Sequence, residues 1–197
     1  MNIISTNCLG GFIYRDVLNT SYKNPFIWTS FDFENFKILL SDYDKINFEN
    51  IELYKVGEGF SNNFNLRIDD KITLKNNHIF FAEKENKPLK RNNCVFYNKP
   101  WEYIIEKYNI RIKRMDDNLV IMIYDTKLSQ NEINEICSIC ELKKYPALII
   151  TKKEIIETNL IKKIDFETHE GDWIKPLLKK CKLDIINFIN DLSNSLV

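Results

Sequence analysis

Two kinds of hydrophobic pattern divide the chain. Toward both ends, short apolar runs alternate with segments whose apolar residues recur every three or four positions. In the middle, apolar and polar residues simply alternate. A short continuous apolar run reads as a strand buried on both faces, three-to-four spacing as a covering helix, and strict alternation as a strand with one wet face. Asn2-Ile3-Ile4-Ser5-Thr6 predicts a strand, and Phe12 to Leu18 a helix after the Gly10-Gly11 turn. Pro25-Phe26-Ile27-Trp28-Thr29 predicts a second strand. Ser30 and Asp32 are good helix starters, and Phe33, Phe36, Leu39 and Leu40 keep helical spacing after them.

The middle predicts closely spaced strands at Ile51–Val56, Asn63–Ile68, Ile72–Leu74 and His78–Ala82, joined as a meander or hairpins. Beyond Pro100 a helix is expected from Trp101 to Arg114. Leu119–Tyr124 and Ala147–Ile150 read as buried strands. Ser129, with Glu132 three residues on, forms a capping box for a helix reaching about Leu142. Lys153–Thr158 predicts a short helix, Ile161–Phe166 a strand, and Trp173 to about Leu192 a long amphipathic helix. Strands alternating with helices at both ends imply an α/β fold. We expect three layers: a mainly parallel sheet with helices on both faces and an antiparallel insertion. One domain over 1–197 is expected, with 51–98 as the β-rich insertion.

Composition narrows the function. The 197 residues carry 28 Lys+Arg and 28 Asp+Glu, a formal net charge of zero. A neutral chain has no global field to attract a polyanion, which argues against a dedicated nucleic-acid binder. A hydrophobic share of 44% supports a full core, so disorder, collagen and coiled coil are excluded as overall classes. No run approaches the roughly 18 apolar residues that span a bilayer. The start of the chain resembles neither a secretory signal nor a lipobox. A cytoplasmic protein is expected, and its five cysteines, odd in number, read as free thiols.

Several clusters have a chemical and a structural reading. Cys137-Ser138-Ile139-Cys140 looks like a redox pair but lies inside a helix, where core packing is the simpler role. Asp42-Tyr43-Asp44 resembles a metal-binding Asp-x-Asp, yet it ends a helix rather than a strand. Two histidines and scattered cysteines form no zinc pattern, so no metal site is expected. Lys175, Lys179, Lys180 and Lys182 form a solvated helix face, or face an anionic membrane surface as a peripheral contact.

The candidate site is Asn7-Cys8-Leu9-Gly10-Gly11, between the first strand and the first helix. Parallel sheets bind ligands beyond the carboxyl ends of their strands. Unpaired N–H groups at a helix start attract phosphate or carboxylate, and glycines let a ligand approach the backbone. Asn7, Gly10 and Gly11 are thus candidate binders of an anionic small molecule or sugar nucleotide. Arg111 and Arg114, with Asn118 after them, would neutralise it. Cys8 there is a candidate nucleophile, and His169 a candidate base for it. The plainer readings are a tight turn, a buried thiol and a surface histidine.

The stretch Ile4–Gly11, with Tyr14, Tyr22, Pro25-Phe26 and Asp32-Phe33, resembles the opening of a bacterial family of unknown function. Its members are often labelled exopolysaccharide biosynthesis proteins. Trp101, Arg111, Arg114, Asp117-Asn118 and the strand after them also resemble that family, as does Tyr145-Pro146. Leu9 departs from the usual Trp, and Phe80-Phe81-Ala82 stands where the family often has His-Tyr. The resemblance implies a three-layer α/β fold and a link to cell-surface polysaccharide synthesis; it supplies no reaction. Three expectations follow. One is a transferase acting on a glycan or nucleotide-sugar precursor. Another is a non-catalytic partner in a polysaccharide complex. The last is a cysteine-dependent hydrolase or acyltransferase using Cys8 and His169.

Overall fold

A computed structural model describes residues 1–7, 9–27, 31–50, 52–55, 64–68, 72–76, 83–84, 87–88, 101–125, 127–166 and 174–195. In chain order its elements begin with β1 (Asn2–Ile4), α1 (Leu9–Phe12, continued by a π-helical turn over Ile13–Val17) and α2 (Phe33–Asp42). There follow β2 (Glu52–Lys55), β3 (Phe64–Ile68), β4 (Ile72–Asn76), and the two-residue strands β5 (Glu83–Lys84) and β6 (Lys87–Pro88). The last part holds α3 (Trp101–Lys113), β7 (Leu119–Tyr124), α4 (Gln130–Lys143), β8 (Ala147–Thr151), β9 (Ile161–Asp165) and α5 (Ile174–Ser195).

The frame is a four-stranded sheet in the order β1-β7-β8-β9, parallel throughout. Ile3 pairs with Val120, Ile123 with Ile149, and Ile149 with Lys163. Alternation along the strands divides the apolar side chains between two cores. Ile121, Ile123 and Ile149 face α2 and α4, meeting Phe36, Leu39, Leu40 and Ile136. Val120, Met122, Leu148 and Ile150 face the opposite way, toward α1 and α5, meeting Leu9, Ile13, Leu177 and Ile185. Helices therefore cover both faces, and every residue of β7 is buried. The middle segment holds the expected antiparallel piece: β2, β3 and β4 pair in sequence, with Leu53 opposite Leu66 and Leu66 opposite Leu74.

β1 is an edge strand, and its outward polar groups are taken up by side chains and by the segment that follows α1. The Ile3 N–H donates to the Tyr14 hydroxyl at 3.0 Å, and Asn24 Nδ2 donates to the Ile3 carbonyl at 2.9 Å. The Phe31 N–H donates to the Thr6 carbonyl at 3.1 Å. A strand edge left open would invite pairing with another chain.

This lining explains one correction. Pro25–Thr29 was expected as a strand, but residues 24–27 form a turn. Asn24 presents its side chain, not its backbone, to β1, and its Oδ1 accepts from the Phe26 N–H at 3.0 Å. Trp28, Thr29 and Ser30 lie outside the described residues, as does the expected strand at His78–Ala82. A second correction concerns Lys153–Thr158, which is not helical. Its polar groups bond elsewhere: the Glu154 N–H donates to Gln130 Oε1, and the Thr158 hydroxyl accepts from the Leu160 and Ile161 N–H groups.

Candidate functional site

The residues proposed to bind an anion together stand at opposite edges of the sheet. Asn7, Gly10 and Gly11 follow the carboxyl end of β1. There Asn7 Nδ2 donates to the carbonyl of Tyr124, the last residue of β7, at 3.0 Å. Arg111, Arg114 and Asn118 precede the amino end of β7. A six-residue strand separates the two groups by roughly 20 Å. The expectation that Arg111 and Arg114 lean over the Asn7–Gly11 turn is thus overturned. The reason is topological: α3 runs antiparallel to the strand it feeds, so its basic last turn lies at the amino edge.

Each half of the expected site has a structural role. Gly10 and Gly11 lie inside α1 rather than in the expected turn, and two of the N–H groups imagined as open to an anion there are occupied. The Leu9 N–H donates to Asn7 Oδ1 at 3.1 Å, and the Gly10 N–H to the Ser5 hydroxyl at 3.0 Å. Ser and Asn are strong capping residues, and here they satisfy the donors from within the chain. Gly10 and Gly11 are buried. A β-carbon on Gly10 would meet Ser5 Oγ at 3.2 Å and the Ile3 carbonyl at 3.3 Å, so this glycine serves close packing of α1 on β1.

At the amino edge, Arg111 is completely buried, with its guanidinium 4.7 Å from the ring centre of Tyr22. Arg114 donates to the Tyr22 carbonyl at 3.2 Å. Asn118 is an exposed turn residue whose N–H donates to Asp116 Oδ1 at 3.1 Å. Asp116 also meets the Met1 ammonium and, at 3.5 Å, the Lys23 ammonium. These contacts join the start of β1 to the turn before β7.

Cys8 and His169 lie outside the described residues. Of the other cysteines, burial pushes the Cys137 thiol up to about 11 and the Cys140 thiol to about 12. Both stay protonated at neutral pH, which suits packing rather than redox exchange. Among the described residues, no three His, Cys, Asp or Glu side chains come together as they would to hold a metal ion.

A polar cluster that sequence reasoning missed occupies the carboxyl edge. Asp125 follows β7 and is 3% exposed. Its Oδ1 accepts from the Leu128 N–H at 2.9 Å. Its Oδ2 accepts from the Thr151 hydroxyl at 2.7 Å and from the Lys153 ammonium at 2.5 Å. The Thr151 hydroxyl in turn accepts from the Lys153 N–H at 3.1 Å. Alongside, the Gln130 side chain bonds both the N–H and the carbonyl of Glu154, tying the loop after β8 to the start of α4. Buried polar groups need such hydrogen-bond partners. The outcome is a fixed cation: the Lys153 side chain is 34% exposed while its ammonium is held by Asp125. Lys127 and Lys152, both exposed, stand on the same two loops. The signal for this cluster was present in the sequence. Asp125 and Thr151 are the first polar residues after apolar strand runs, where parallel sheets carry functional side chains.

Comparisons of the chain with protein-family models, with curated proteins and with solved structures find no match.

Proposed function

We propose that the protein takes part in building a cell-surface polysaccharide and binds an anionic precursor, a sugar nucleotide or sugar phosphate, at the carboxyl edge of its parallel sheet. The observation that carries the binding site is the partly exposed Lys153 side chain, whose ammonium is held in place by buried Asp125. Two further lysines, Lys127 and Lys152, give that edge the charge a phosphate seeks. Asp125 acts by positioning Lys153, and Thr151 by fixing the Asp125 carboxylate. A pre-placed cation neutralises charge as it develops on a departing phosphate, so group transfer is the reaction class the arrangement suits. The polysaccharide context rests on the resemblance of Asn7–Gly11, Tyr14, Tyr22 and Asp32-Phe33. A thermal-shift screen with nucleotide sugars, sugar phosphates and acyl-CoA tests the reading. Stabilisation by a phosphate-bearing sugar is expected, and no response from any class contradicts it.

One set of observations favours a non-catalytic partner as the second reading. The Leu9 and Gly10 N–H groups are capped by Asn7 and Ser5 and Arg111 is buried, so none of these three is open to a substrate. Co-purification from the native host separates the readings: a stable protein partner together with silence in the ligand screen supports the second.

A further inference from the structure

We propose that the outward face of α5 docks on an anionic lipid bilayer, lying on the surface rather than crossing it. This inference is independent of the ligand reading above. The first ten residues of α5, Ile174 to Leu183, contain Lys175, Lys179, Lys180 and Lys182 and no acid. Lys179, Lys180 and Lys182 are exposed. Lys175 stands in the first turn of α5, where a cation opposes the helix dipole. Lys182 reaches the Asp16 carbonyl at 3.3 Å and Lys180 lies 5.5 Å from the ring centre of Phe166. Among the described residues, neither Lys179 nor Lys180 is ion-paired with a carboxylate.

The geometry adds an apolar crest. Leu177, Cys181, Ile185 and Phe188 are buried against the sheet, so Leu183 points directly outward and is 68% exposed. Lys179 and Lys180 lie on the same outward face, one turn earlier, and Asp184 lies off to its flank. A leucine framed by lysines matches a membrane boundary, where headgroups take the charges and the acyl region takes the side chain. A water-soluble polyanion would leave Leu183 wet. Lys162 is exposed on the sheet face against which α5 packs, two residues from buried-side Ile164, and extends the basic surface. No helix among the described residues is long and apolar enough to cross a membrane, so contact must be superficial.

Vesicle co-sedimentation tests the proposal. The chain should bind phosphatidylcholine vesicles containing phosphatidylserine at low salt, and not pure phosphatidylcholine. Each lysine near such a surface is worth roughly a fivefold change in partitioning. The triple variant Lys179→Gln, Lys180→Gln, Lys182→Gln should therefore bind about a hundredfold more weakly. Leu183→Ser should lose roughly tenfold. All four positions are exposed, and unchanged thermal midpoints will show that the variants fold. The proposal is overturned if the parent ignores anionic vesicles or if the triple variant binds them equally well. It is also overturned if heparin or duplex DNA binds as tightly as the vesicles with Leu183→Ser without effect, which would indicate a soluble polyanion as partner.

Discussion

Gly10 shows how one missing side chain sets the spacing of two elements. Its hydrogen atoms let α1 settle on β1 while its N–H caps onto Ser5. Gly10→Ala brings a methyl group against a backbone carbonyl and a hydroxyl, neither of which can retreat far. We expect a loss of about 1–3 kcal/mol, read by chemical denaturation with an unchanged m-value. A glycine that instead served ligand approach would leave stability unaltered on this change and alter binding. Lys144 is the reverse case, a side chain where none is wanted. It ends α4 in the left-handed region, at φ 61°, and its N–H turns back to the carbonyls of Cys140 and Glu141. Lys144→Gly should stabilise the fold by about 0.5–1 kcal/mol, seen as a rise in Tm. Lys144→Val should lower it.

At the scale of elements, the joints matter more than the strands. The turn before β7 is tied to the start of β1 through Asp116. Burial alone would raise its carboxyl, but the Met1 ammonium, the Asn118 N–H and Lys23 outweigh burial and hold it below the ordinary value. A carboxyl lowered in the folded state contributes stability above its unfolded value, near pH 4, and loses it as pH falls through the folded value. The Tm of the parent should therefore drop more steeply below about pH 4 than that of Asp116→Asn. Identical acid limbs would show that this joint adds nothing. Elements were also where the sequence was most readable. The runs at Leu119–Tyr124 and Ala147–Ile150 became central strands, and the Ser129–Glu132 capping box is formed as expected. Reading failed where side chains replaced backbone as the bonding partner. Asn24 lines β1 with its side chain while residues 25–27 turn, and the Glu154 N–H and carbonyl bond the Gln130 side chain rather than their own segment. Local propensity contains no record of such distant partners.

For the whole molecule, the sheet's polarity decides which residues can act together. The order β1-β7-β8-β9 and the antiparallel run of α3 send Asn7 to one edge and Arg111 to the other. No spacing along the chain reveals that separation, because both groups flank strands and both look anion-ready in isolation. Of the residues on which the expected resemblance was based, several that the structure describes serve the frame. Asn7 links β1 to β7, Tyr14 and Tyr22 pack beneath β1, and Asp32 caps α2 by accepting from the Asn35 N–H. Motifs of this kind announce an architecture more than a reaction. The chemistry we propose lies instead with Asp125, Thr151 and Lys153, three residues at the carboxyl ends of two strands that only the pairing of β7 with β8 makes neighbours.

That assignment meets its most direct test in calorimetric titration of the parent, Lys153→Gln and Arg114→Gln with the phosphate-bearing sugar that gives the largest thermal shift. The two arginine-edge and lysine-edge variants differ in which end of β7 they alter. The account predicts binding by the parent and by Arg114→Gln, and at least tenfold weaker binding by Lys153→Gln, the loss of about one charge-assisted hydrogen bond. Binding untouched by Lys153→Gln but abolished by Arg114→Gln would contradict it, placing the ligand at the amino edge of the sheet.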